Sequence, residues 1–372
     1  MNESKATRYQ RLRRRASAVE IVSGALALGV LALPAVAGGL ARWAEATTGG
    51  SGIGTIVLFA VSVVAVWRLA VLPARLFLGL RVAERYGPAS PAGAAAPAGA
   101  VAIEELQATL VALGAAVLIA GTVGVAMWLV PRWWWVVAGC ALAGWLTLAM
   151  RAMPLILARF APAGLSVRGD LGRRLARLAA DAGVPVTSIG VLAGTGSPAA
   201  FLTGVGRTRR IFLSEEILRD WSDDEVAVVV AHEIGHHTRH DLARGVALSA
   251  ATLMAALWAA DAALRRAAPA LGLGGPADLG AWPLLLLVAG GVWLAATPLR
   301  HGQSRRHERL ADEFALRLTG ETEAFAAAIK RLGARHLAEE RPSTFTRWFF
   351  HRHPSVGERL ALASRFRGVG IR

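Results

Sequence analysis

The sequence predicts a mostly α-helical polytopic membrane protein with about six transmembrane helices and a small α+β domain outside the bilayer. Three observations carry that expectation. The 372 residues are 54% hydrophobic and only 18% charged, whereas soluble domains carry about 25% charged residues. Mean hydropathy is +0.45. Six apolar blocks, near 18–40, 53–72, 109–130, 133–157, 243–264 and 281–299, approach the roughly 20 residues that a spanning helix needs. The apolar composition, with 40 glycines in 372 residues, excludes disorder and collagen-like repeats, and the single cysteine, Cys140, in an apolar block with no partner to bridge, excludes a disulfide-stapled secreted fold.

The connections between the blocks give a direction. Lys5, Arg8, Arg11, Arg13, Arg14 and Arg15 precede the first block, and Arg75, Arg81 and Arg85 follow the second. The opposite side holds only Arg42, then Arg132, then Arg265 and Arg266. Basic loops stay in the cytoplasm, so both termini are expected there, in a multi-pass protein of the cell membrane. The net charge of +15 therefore points to the lipid bilayer as partner rather than to nucleic acid. Ala35-Val36-Ala37 resembles a signal-peptide cleavage site, but the apolar block before it is long for a signal and five more blocks follow. Arg68 and Asp261, near the ends of the second and fifth blocks, are placed to snorkel or to face neighbouring helices. Residues 87–101, rich in Pro, Ala and Gly, read as a loop, and Trp133, Trp134 and Trp135 as an interfacial aromatic belt.

Two polar segments, 158–241 and 300–372, then fall on the cytoplasmic side. The first reads as a helix over 170–183, strands near 187–192, 200–204 and 209–214, and a helix from 223. The second reads as two or three helices. The expected division is a membrane domain over 1–160 with four transmembrane helices, and a second domain over 161–372 interrupted by a transmembrane hairpin at about 243–299. All nine histidines lie between 232 and 353, so polar chemistry is expected there.

Residues 232–236 read His-Glu-Ile-Gly-His. Ser222-Asp223-Asp224-Glu225 has the form of a capping box, which starts a helix that runs through both histidines. His232 and His236 then lie one turn apart on one face, spaced to grip a single Zn²⁺. Glu233 can reach a water at the ion's open position, the arrangement that metal-assisted hydrolysis requires. A third ligand is needed. The metzincin spacing fails, since Arg239 and Leu242 stand where it needs Gly and His. His240 lies one further turn on, and His237 points off the ligand face. Glu308, in Ser304-Arg305-Arg306-His307-Glu308-Arg309-Leu310-Ala311-Asp312, is the better candidate, with Asp312 one turn later able to accept a ligand histidine's far N–H.

This combination resembles the integral-membrane gluzincin peptidases, the family of the type I CAAX prenyl endopeptidase and HtpX, over about 165–372. The resemblance implies one Zn²⁺ per chain held by His232, His236 and Glu308, with Glu233 as catalytic base and Asp312 supporting a ligand. It implies a zincin-type catalytic domain. Phe350 to Arg359 is similar to the His-Pro...Glu-Arg signature of the CAAX-protease branch, which places the chain closer to that branch than to HtpX. Ala199-Ala200-Phe201-Leu202-Thr203-Gly204 is similar to the family's Asn-Ala-Phe-x-x-Gly strand, an edge along which an extended substrate could pair. Ala199 stands where the family has Asn. With that amide gone, His353 and Arg359 are expected to act on the substrate rather than on zinc.

The function expected is a zinc-dependent membrane endopeptidase that cuts membrane-associated or misfolded polypeptides with a metal-activated water. A zincin-type membrane sensor without broad proteolysis is the alternative.

Overall fold

The computed structural model describes residues 5–86, 98–160, 167, 169–192, 199–204, 206–340 and 342–369. The loop expected at 87–101 lies outside them as far as residue 97. The helices in the first part of the chain are α1 (Lys5–Leu31), α2 (Pro34–Thr48), α3 (Gly52–Tyr86), α4 (Ala98–Leu129), α5 (Trp134–Phe160) and α6 (Gly169–Asp181). Strands β1 (Ser188–Leu192), β2 (Ala200–Thr203) and β3 (Arg210–Ser214) follow, then α7 (Glu215–Asp220), α8 (Asp223–Thr238), α9 (Asp241–Leu271) and α10 (Trp282–Ala295). The chain closes with α11 (Thr297–Thr319), α12 (Thr322–Arg335), α13 (Thr344–Phe350) and α14 (Val356–Val369). It forms two compact units, 1–144 with 249–296, and 145–248 with 297–372.

The apolar blocks are helical, but they are not six uniform spans. Among the described residues, three helices are long and apolar enough to cross a membrane, Gly52–Phe77, Val101–Leu129 and Asp241–Leu271, or up to five if two bent pairs are each one span. Trp134–Met150 is a shorter apolar helix. The block expected as one span at 18–40 is broken, since α1 and α2 meet at 75°. Pro34 opens α2, and a proline at that point removes a backbone donor and clashes with the preceding turn, so the helix restarts in a new direction. Phe59, Val63, Val123, Trp134, Leu264 and Trp282 fill the core of this unit. The charges near the ends of the blocks are paired. Arg68 Nη2 lies 3.0 Å from Glu105, and Trp134 Nε1 donates to Asp261 at 2.6 Å.

The second unit is built on a three-stranded sheet of order β1-β3-β2. β1 runs parallel to β3, with Ile189 opposite Ile211, and β2 runs antiparallel to β3, with Phe201 opposite Phe212. β2 is thus an edge strand. Leu175 and Ala179 of α6, Ile211 and Leu213 of β3, and Val226, Ala227, Val230 and Ile234 of α8 share one core. Each large aliphatic side chain buried there is worth about 2 kcal/mol over exposure. Helix α7, absent from the sequence expectation, is a single short turn capped by Ser214. Among its described residues the second polar segment carries four helices, α11 to α14, where the sequence suggests two or three.

Candidate metal centre

Helix α8 is fixed in phase at its start. Ser222 Oγ accepts from the Glu225 backbone at 3.3 Å, and Glu225 Oε2 accepts from the Ser222 backbone at 2.8 Å. From that origin the 3.6-residue period sends Val226, Val230 and Ile234 into the core and turns the two histidines toward α11. Gly235 lets the helices approach. A Cβ there would stand 3.1 Å from Phe314 Cδ1 and 3.3 Å from the Ala311 Cα of α11.

The His232 and His236 rings meet edge to face with their Nε2 atoms 3.1 Å apart. Glu308 of α11 completes the group, with its two oxygens each 3.5 Å from one of those nitrogens. A tetrahedral ion with bonds of about 2.0–2.2 Å sets its ligand atoms roughly 3.3–3.5 Å apart. The three side chains therefore fit a zinc-sized ion. Their far nitrogens are also held, since Asp312 Oδ1 stands 2.9 Å from His232 Nδ1 and Asp241 Oδ2 3.0 Å from His236 Nδ1.

The site's charges are tuned by one another. Burial alone would lower the His232 pKa, but the adjoining Asp312 and Glu308 carboxylates push it up to about 9. Burial likewise opposes ionisation of Glu308, yet His232, His236 and His353 hold its carboxyl well below the usual range. Asp312 is held down in the same way, against burial, by Arg359 and then His232. Glu233 is different, because burial outweighs the neighbouring histidines and raises its carboxyl above the ordinary glutamate value. That direction suits a group that must accept a proton near neutral pH.

The competing ligands go elsewhere. His237 accepts from Arg209 Nε at 3.1 Å. His240 is exposed and left-handed, at φ 55°. Its turn starts α9, which delivers Asp241 to His236, a support the sequence reasoning missed. The signal was an acid at the first turn of the next helix, but its aim depends on that one backbone angle.

Two expected substrate donors are placed differently. Arg359 of α14 donates from Nε to Asp312 Oδ2 at 2.8 Å and from Nη2 to Oδ1, with its side chain only 15% exposed. Its Nε and Nη2 thus form a two-pronged pair with a buried carboxylate, which places Arg359 where it can position Asp312. His353 lies at the rim, 65% exposed, but its Nδ1 is 2.9 Å from Glu308 Oε2, so it touches the candidate ligand rather than standing clear of it. Ala199 anchors the start of β2 through its backbone, donating to Ser214 Oγ and accepting from Ser214 N, both at 2.9 Å.

The family model for Peptidase family M48 matches residues 166–366, more than half of the chain. The chain belongs to this family. The resemblance read from the sequence is thereby borne out. An uncharacterized metalloprotease, YhfN, of Bacillus subtilis is 29% identical over 203 residues, covering 53% of this chain and 48% of that protein. A protease HtpX homolog of Campylobacter curvus is 30% identical over 157 residues, 42% of this chain and 54% of its own length. The chain thus spans about half the length of the curated relatives it matches. The crystal structure of S. mikatae Ste24p shares the fold, at a TM-score of 0.78 and 19% identity, over 96% of this chain and 88% of that one.

Proposed function

We propose that this M48 member is a zinc-dependent integral-membrane endopeptidase acting on membrane-associated or misfolded polypeptides. The observation that carries the reading is the convergence of His232, His236 and Glu308 at ligand spacing with Glu233 beside them. The proposed organisation is a membrane domain over 1–160 with four transmembrane helices, and a peptidase domain over 161–372 interrupted by the apolar hairpin at 243–299. Six spans and the arginine bias of the connections would put the catalytic domain in the cytoplasm.

His232, His236 and Glu308 would hold one zinc ion, with Asp312 and Asp241 fixing the two imidazole orientations. A bound zinc ion would acidify water and polarise the scissile carbonyl. The edge of β2 away from β3, which pairs with no other described strand, would offer backbone groups to an extended substrate, in the manner of strand addition. Glu233 takes a proton from the attacking water as its oxygen bonds to the carbonyl carbon. It returns that proton to the departing nitrogen as the C–N bond breaks. Ala199 offers no side-chain donor, and His353, exposed at the rim beside Glu308, would steady the carbonyl oxygen.

Glu233→Gln tests the reading. The amide cannot take a proton, so turnover of an unfolded membrane-protein substrate should fall by about 10²–10⁴-fold, while bound zinc stays at the wild-type level. Unchanged turnover in the purified variant would remove Glu233 from the chemistry.

A further inference from the structure

The second unit carries a basic hollow that the peptide chemistry does not use. Two adjoining cavities of about 280 and 230 Å³ share Arg309 and Glu358 as walls. Arg306, Arg347 and Trp348 line one, and Arg365 and Arg359 the other. The acids facing them are already engaged. Glu358 accepts from Ser355 N at 2.9 Å and from Arg347 at 2.8 Å, and Asp312 is taken by Arg359. Arg306, Arg309 and Arg365 are exposed, and none makes an ion pair or hydrogen bond with a described residue. The surplus of positive charge is felt nearby, since burial and then the Arg347 guanidinium lower the Arg305 pKa.

A second observation says what kind of anion belongs there. Helix α13 is pinned beside the hollow, where Arg305 Nη1 donates to the carbonyls of Arg347 and His351 at 2.8 and 2.7 Å. Its Phe345, Trp348 and Phe350 are 66%, 52% and 39% exposed. Open tryptophan and phenylalanine rings beside arginines are the pattern of a helix lying in a membrane interface, with the tryptophan at headgroup level. Covalent distance agrees. Arg306 and Arg309 follow the apolar α10 within four turns of chain, a rise of about 20 Å at most.

We propose that this hollow is a binding site for an anionic phospholipid headgroup, with Arg306, Arg309 and Arg365 holding the phosphate and α13 laying its aromatic side chains among the adjacent lipids. The site does not depend on the peptidase reading, and none of the three arginines belongs to the metal group.

The test uses the full-length chain in mild detergent, with bound lipid counted by native mass spectrometry. Phosphatidylglycerol and phosphatidylcholine of the same acyl chains are titrated separately, with inorganic phosphate as competitor. A basic side chain near a lipid anion is worth about fivefold in affinity. Phosphatidylglycerol should therefore bind at least about tenfold more tightly than phosphatidylcholine. The triple variant Arg306→Gln/Arg309→Gln/Arg365→Gln should lose that preference, while Arg207→Gln/Arg317→Gln, elsewhere in the same unit, should keep it. If the triple variant does not fold, Arg306→Gln alone should weaken phosphatidylglycerol by about fivefold. Equal binding of the two lipids overturns the proposal, as does a preference that survives the arginine changes. Displacement of the lipid by millimolar phosphate would make this a free-phosphate site and also overturn it.

Discussion

Replacing Arg359 by methionine separates two roles that the sequence alone could not. In the structure its guanidinium forks onto Asp312, whose side chain is 1% exposed and whose other close partner is His232 Nδ1 at 2.9 Å. Methionine preserves much of the packing against Phe325, over whose ring Arg359 now lies at 5.8 Å, but leaves the carboxylate one partner short. Breaking a buried ion pair on one side costs about 3–5 kcal/mol. Asp312 can avoid part of that cost by taking up a proton. A protonated Asp312 no longer stabilises the donor tautomer of His232, and losing such support typically lowers metal affinity by about 10–100-fold. Zinc affinity measured by competition with a chromophoric chelator should therefore fall in that range, with a lowered melting temperature. Arg359→Lys should recover only part of it, since an ammonium restores the charge but not the fork. Normal zinc affinity together with a raised KM would refute the argument and return Arg359 to the substrate.

Glu308→Ala should strip zinc from the purified protein, whereas His240→Ala and Glu313→Ala should leave it nearly full, and metal analysis of the three variants decides the third ligand. In the metal-free protein His232 is pushed up to about 9, so it is protonated at pH 7 and must lose that proton to bind a metal. Calorimetry in two buffers should show release of at least about one proton at pH 7, with affinity rising up to about tenfold per pH unit toward pH 9; no proton release would contradict the charge state. Cysteines at Asp278 and Ser364, placed after Cys140→Ala, should be respectively open and closed to a membrane-impermeant thiol reagent in whole cells. The reverse labelling would put the catalytic domain outside.

Much of the site was legible because its signals are local. The capping box fixed where α8 starts, and the four-residue spacing of His232 and His236, like that of Glu308 and Asp312, put each pair on one face whatever the rest of the fold did. The three strands were also placed to within a residue or two, since Gly and Pro punctuate them. What could not be read depends on packing between distant segments or on single dihedral angles. Arg359 was identified as special, but its destination follows from how α14 lies near α11, which no period in the sequence encodes. Asp241 was missed because one left-handed residue, His240, aims it. The break at Pro34 was written in the sequence and passed over, because mean hydropathy continues across it while the backbone does not.

The ligands meet across a large stretch of chain, and synthesis delivers them in order. His236 precedes Glu308 by 72 residues, and the arginine that steadies Asp312 follows Glu308 by another 51. At about 5–20 residues per second the ribosome needs roughly 6–25 s to pass from the first to the last of these. During that interval two apolar helices must also be accommodated. A nascent chain with α8 already folded therefore owns two histidines and a base but no complete cage for a metal. Truncation before Arg359 should yield a poorly metallated product, so the cell's own incomplete copies would be inert.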